Sequence, residues 1–150
     1  MMDIKVGVEV KTLHLMHSRA VTGEIYFEDD GFYFPELHWN DFIIEILNWW
    51  IKVTKKITTS NIGASDEFLF KDGPFLVRAC KLDQDIMRMD FIKRQLSGEI
   101  IMDCTDCKIS RFSHSLLVAA KKVLEEINER KWEANELDNL RNALRGMTEE

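Results

Sequence analysis

The sequence predicts a single α+β domain spanning residues 1–150: an antiparallel β-sheet of about five or six strands, with a tryptophan-rich central helix and two C-terminal helices packed against it. Three observations predict it. Apolar side chains alternate at period two through much of residues 4–34 and 67–104, and the links between these runs are too short for crossover helices, so the strands are antiparallel. The apolar period becomes helical in two places, around residues 42–57 and after Ser110. Finally, 150 residues with 45% apolar and 31% charged side chains suit one globule that buries roughly 68–70% of its unfolded surface.

The first strand is Ile4, Val6, Val8, Val10 and Thr12 alternating with Lys5, Gly7, Glu9 and Lys11. Leu13, Leu15 and Met16 switch the parity, which places a bulge or a strand end near His14. Alternation resumes from Glu24 to Glu28, and Asp29-Asp30-Gly31 leads into Phe32-Tyr33-Phe34. Asp30-Gly31 can adopt the positive φ angles of a tight turn, so this is a hairpin, closed by Pro35. Asn40 or Asp41 then caps a helix whose stripe is Ile43, Ile46, Leu47, Trp50, Val53 and Ile57, widened by Phe42 and Trp49. Three of the four tryptophans fall within twelve residues here, at Trp39, Trp49 and Trp50. So much apolar area marks where the fold is organised.

Residues 58–65 form a polar loop. A second hairpin runs from Glu67 to Phe70, turns at Lys71-Asp72-Gly73-Pro74, and returns from Phe75 to Cys80. Met87, Met89 and Phe91 mark a further strand, and Glu99 to Cys104 another after the turn at Ser97-Gly98. Leu116, Ala120, Val123, Leu124 and Ile127 then make an amphipathic helix from about Ser113 to Lys131. Leu137, Leu140 and Leu144 carry a last helix ending near Gly146.

Charge and cysteine usage exclude several functions. The net charge is −6, from 26 acidic and 20 basic side chains, which argues against a nucleic-acid surface and suits encounter with a basic partner. The excess lies in residues 1–75, which hold 12 acidic and 7 basic side chains. Met1-Met2-Asp3-Ile4-Lys5 lacks the apolar stretch of a signal peptide, and no run reaches the roughly eighteen apolar residues of a membrane span. With three cysteines, an odd number, a reducing cytoplasm is the expected compartment and no membrane partner is expected.

No catalytic constellation emerges. Ser113-His114-Ser115 lacks a strained nucleophile turn, and no glycine-rich phosphate cradle is present. Cys104-Thr105-Asp106-Cys107 has the spacing of a zinc hook or redox pair, with Cys80 or His114 available to extend it. Asp103 and Asp106 flank these thiols and oppose thiolate formation, so ordinary thiols at a strand end are expected, with no metal and no cofactor. His14 and His17 fall on opposite faces of a strand. What is left concerns surfaces. Glu28, Asp29, Asp30 and Glu36 form an acidic cluster around the aromatic hairpin Tyr26-Phe27 and Phe32-Tyr33-Phe34. Large aromatics beside fixed charge are what protein interfaces use as anchors and steering groups.

The order Phe34-Pro35, Trp39-Asn40-Asp41-Phe42, Leu47-Asn48-Trp49-Trp50, Phe70-Lys71-Asp72-Gly73-Pro74-Phe75 and Leu116-Leu117-Val118-Ala119-Ala120 resembles small bacterial immunity proteins, which protect a cell from a secreted or contact-delivered toxin. The resemblance covers residues 24–145 and implies a cytoplasmic, non-enzymatic protein that binds and blocks a cognate toxin domain. It transfers no binding residues. From the chain's own chemistry, Glu28, Asp29, Asp30, Tyr33 and Glu36 are the first partner-binding candidates, and Asp103 and Asp106 the second. Two alternatives stand beside this expectation: a metal or redox protein built on Cys104 and Cys107, and an adaptor or structural subunit with another protein partner.

Overall fold

The computed structural model describes residues 1–148 of the chain. It is an α+β domain of three helices and two antiparallel sheets of four strands each. The first sheet holds β1 (Lys5–Leu15), β2 (Val21–Asp29), β3 (Phe32–Phe34) and β4 (Asn40–Asp41), with β3 and β4 both paired to β2. Helix α1 (Ile43–Thr59) follows. The second sheet is a meander of β5 (Ser65–Leu69), β6 (Phe75–Asp83), β7 (Ile86–Gln95) and β8 (Gly98–Lys108). Helices α2 (Ile109–Arg130) and α3 (Leu137–Thr148) complete the domain.

The antiparallel pairing and the three helices are as the sequence predicts, but the strands divide between two sheets rather than joining in one of five or six. The reason lies in the inward faces. Phe27 of β2 meets Phe68 and Phe91 of the second sheet, and Phe70 just beyond β5, edge to face at 5.8–6.1 Å, and stacks on Trp50 of α1 at 4.5 Å and on Phe112 of α2 at 5.9 Å. These rings fill the space between the sheets, so the halves meet through side chains and not through a backbone ladder.

Local chemistry explains most turns. Asp29 stands opposite Phe32, leaving the two-residue turn Asp30-Gly31 with φ of 32° and 88°, as the hairpin requires. The β1–β2 register shifts between Glu9 and His14. There the Thr12 hydroxyl donates to the Glu9 carbonyl at 2.5 Å and accepts the Glu24 amide at 3.0 Å, taking over bonds the ladder loses.

The entrance of α1 departs from the expected cap. The N-cap is Phe42, and no side chain caps the helix. Asp41 is instead 2% exposed and its carboxylate accepts the Phe42 amide at 2.7 Å, the Trp39 indole N–H at 3.1 Å and the Asp72 amide at 3.1 Å. One buried acid thereby ties β4, α1 and the β5–β6 turn. The apolar stripe from Ile43 to Ile57 is buried throughout, whereas Trp49 points outward at 36% exposure and does not widen it. At the far end of α1, buried Lys81 donates to the Thr58 and Ser60 carbonyls at 2.9 and 3.0 Å, a cation where the helix dipole is negative.

Helix α2 starts at Ile109, four residues before the predicted start. Asp85 of the β6–β7 turn accepts the Ser110 amide at 2.8 Å and the Ser110 hydroxyl at 2.6 Å, a cap supplied 25 residues away. Helix α3 runs through Gly146, where a Cβ would lie 3.3 Å from the Lys55 ammonium.

Candidate functional site

Ile25, Phe27 and Phe34 point into the core. By the two-residue period, Glu24, Tyr26 and Glu28 of β2 and Tyr33 of β3 point outward. On that outer face Gly7 stands opposite Tyr26, Lys5 and Tyr33 opposite Glu28, and Glu9 directly opposite Glu24. The face is built around Tyr26. Its ring lies across Gly7, where a Cβ would be only 2.5 Å from the ring, and Tyr33 meets it edge to face at 6.0 Å. Burial raises the Tyr26 hydroxyl pKa first, and the negative charges of Glu28 and Glu24 push it the same way, with smaller pushes from Tyr33 and Glu9. The hydroxyl therefore stays protonated within a ring of carboxylates.

The opposition of Glu9 and Glu24 is the notable term. Like charges directly across a strand pair oppose folding by a few tenths of a kcal/mol up to about 1 kcal/mol. The only basic side chain in contact with either carboxylate among the described residues is His38, whose Nδ1 lies 2.7 Å from Glu24. The face carries more negative charge than its own contacts neutralise.

Only part of the predicted cluster converges. Glu28 and Tyr33 are cross-strand partners on the outer face. Asp29 is turned toward the start of the chain and accepts the Asp3 amide at 3.2 Å. Asp30 occupies the exposed turn, and exposed Glu36 lies in the connection from β3 to β4. Asp103 and Asp106 lie on β8 of the second sheet, opposite Phe91 and Arg88 respectively, and so on opposite faces of the strand. They do not join the first cluster. Glu9 and Glu24 were missed as site residues. The alternation of Glu24, Tyr26 and Glu28 with Ile25 and Phe27 carried the signal for Glu24, but Glu9 needs the β1–β2 register.

The cysteines do not form a pair. Cys107 faces inward against the Met89 sulfur at 3.3 Å, and burial, with help from Asp106, pushes its thiol up to about 12. Cys104 is exposed on the opposite face of β8, and half-buried Cys80 leans on the Gly63 carbonyl. Strand parity separates residues three apart, so Cys104 and Cys107 cannot share a ligand or a disulfide without breaking β8. No group of three or more His, Cys, Asp or Glu side chains among the described residues is arranged to hold a metal.

Two open grooves flank the core. One, of about 550 Å³, lies between α1 and α3 beside Asn48, Trp49 and Asn139. The other, of about 630 Å³, lies between β1 and α2, beside Tyr26 and Glu28. No described helix is long and apolar enough to cross a membrane. No protein family, no curated protein and no solved structure matches the chain.

Proposed function

We propose that the protein is a binding protein that neutralises a cognate toxin domain by stoichiometric association, with the outer face of the first sheet as its contact surface. The observation that carries this reading is the direct opposition of Glu9 and Glu24, with only His38 against one of them, beside Tyr26, Tyr33 and Glu28. Such an arrangement costs stability in the free protein and gains it when a basic surface supplies the missing cations. The exposed Tyr33 ring, propped edge to face on buried Tyr26 among the carboxylates, adds apolar contact area at small entropic cost. The toxin identity of the partner is supported by the resemblance to immunity proteins, and a basic nuclease domain fits the charge.

Co-expression with the product of the adjacent open reading frame, scored for growth, tests the reading. Rescue is expected, and a triple variant Glu9→Lys, Glu24→Lys, Glu28→Lys should lose it while remaining folded. Affinity should fall as salt rises for the native chain and not for the variant. Unchanged affinity and salt dependence in the variant would move the contact surface elsewhere. Failure of the neighbouring product to be toxic would remove the immunity role.

A further inference from the structure

We propose that the groove between β1 and α2 is a binding site for a small amphipathic anion: an apolar body carrying one carboxylate or phosphate head. This does not rest on the toxin-binding reading. The groove exists because α2 is moored alongside β1. The Ser115 hydroxyl accepts the Val6 amide at 2.8 Å, and the Arg130 guanidinium donates to the Val10 and Leu13 carbonyls at 3.2 and 3.1 Å. Its apolar lining is Val8, the Tyr26 ring, Val118 and Ala119, with Gly7 leaving the space that lets Tyr26 lie flat. Val118 is left 38% exposed there. The volume of about 630 Å³ falls in the range of small-ligand pockets, roughly 300–1,000 Å³.

The charge around it selects the ligand. Lys5, Arg111, His114 and Lys122 line the groove against two carboxylates, Asp3 and Glu28. Asp3 is engaged with Lys5 at 3.9 Å and Arg111 at 3.8 Å. The side chains of His114 and Lys122 make no ion pair with any described residue. From Ile109 to Lys122, α2 carries Arg111, Lys121 and Lys122 and no carboxylate at all, in a chain of net charge −6. Two cations thus stand on the helix side of the groove, Arg111 shared with Asp3 and Lys122 without an ion pair to any described residue, while Glu9 and Glu24 lie on the sheet side beyond Tyr26. An anionic head is attracted to the helix side and repelled from the sheet side, which leaves its apolar body over Tyr26, Val8 and Val118.

The test uses the purified full-length chain and the fluorescent anion 1-anilinonaphthalene-8-sulfonate. Saturable binding is expected, displaced by decanoate or by decyl phosphate; the more effective competitor identifies the head group. Lys122→Glu should weaken binding at least fivefold, and Lys121→Glu, the same charge change one residue away and outside the lining, less than twofold. Val118→Asp should also weaken it at least fivefold, with near-ultraviolet circular dichroism confirming native packing in each variant. Methyl resonances of Val8 and Val118 should shift on adding decanoate. Absence of saturable binding, equal effects of the two lysine variants, or displacement by neither amphiphile would overturn the proposal.

Discussion

Removing the Asp41 carboxylate tests the tightest junction in the fold. Asp41→Ala leaves the Phe42 amide, the Trp39 indole N–H and the Asp72 amide without their acceptor. Asp72 is exposed, so its amide can turn to water, whereas Trp39 and Phe42 are at least half covered. Two lost bonds to a charged acceptor at roughly 1.5–3 kcal/mol each, with little added by the third, give about 3–6 kcal/mol. That is a large share of the 5–15 kcal/mol that stabilises a typical domain, as an order-of-magnitude estimate of about 10 kcal/mol. Urea unfolding followed by tryptophan fluorescence measures it. With a slope of about 2 kcal/mol/M, the midpoint should fall by roughly 1.5–3 M. Asp41→Asn, which keeps one acceptor oxygen, should fall about half as far. A midpoint shift below about 0.5 M for Asp41→Ala at unchanged slope would refute the idea that this acid holds three elements together.

Other perturbations have equally definite outcomes. Gly7→Ala places a Cβ 2.5 Å from the Tyr26 ring and should cost about 1–3 kcal/mol by overpacking, measured by the same unfolding experiment. Lys81→Met strands the Thr58 and Ser60 carbonyls and should cost about 2–4 kcal/mol, with faster hydrogen exchange in the last turn of α1. Hydrogen bonds from the Ser110 hydroxyl, and then from its amide, hold the Asp85 carboxyl below the ordinary carboxylate range. That stabilisation is complete above the unfolded pKa and is lost as pH falls through the folded one, so the stability gap between native chain and Asp85→Asn should close in acid and be widest near neutrality. With a thiol reagent at neutral pH, exposed Cys104 should react first and Cys107 only on unfolding, which mass spectrometry of the labelled chain resolves.

Features set by neighbours in sequence were legible; features set by distant partners were not. The Asp30-Gly31 hairpin, the apolar stripe of α1 and the alternation in β7 each declare themselves within a few residues. Asp41 resembles a cap because its nearest amides belong to a helix start, yet what decides its role is Trp39 and an amide 31 residues on. The early start of α2 was hidden for the same reason, since Asp85 caps it from another turn. Two sheets in place of one could not be read from periodicity, because alternation shows which face is covered and not what covers it. The candidate surface divides likewise. Glu28 and Tyr33 were visible as neighbours across a tight turn, but Glu9 joins Glu24 only through a register that a bulge fixes.

Each sheet is closed within its own stretch of chain, residues 5–41 and 65–108, and every strand in them pairs with a segment nearby in sequence. Cutting the polypeptide between Asn61 and Ala64 would therefore sever no interstrand ladder. What unites the two pieces is the interlocked rings around Phe27, the hydrogen bonds that Asp41 and Lys81 make across the cut, and the clasp formed when α2 returns to grip β1 through Ser115 and Arg130. Helix α2 thus locks β1 in place, and without it the two sheets would lose this clasp along with the Phe112 ring between them.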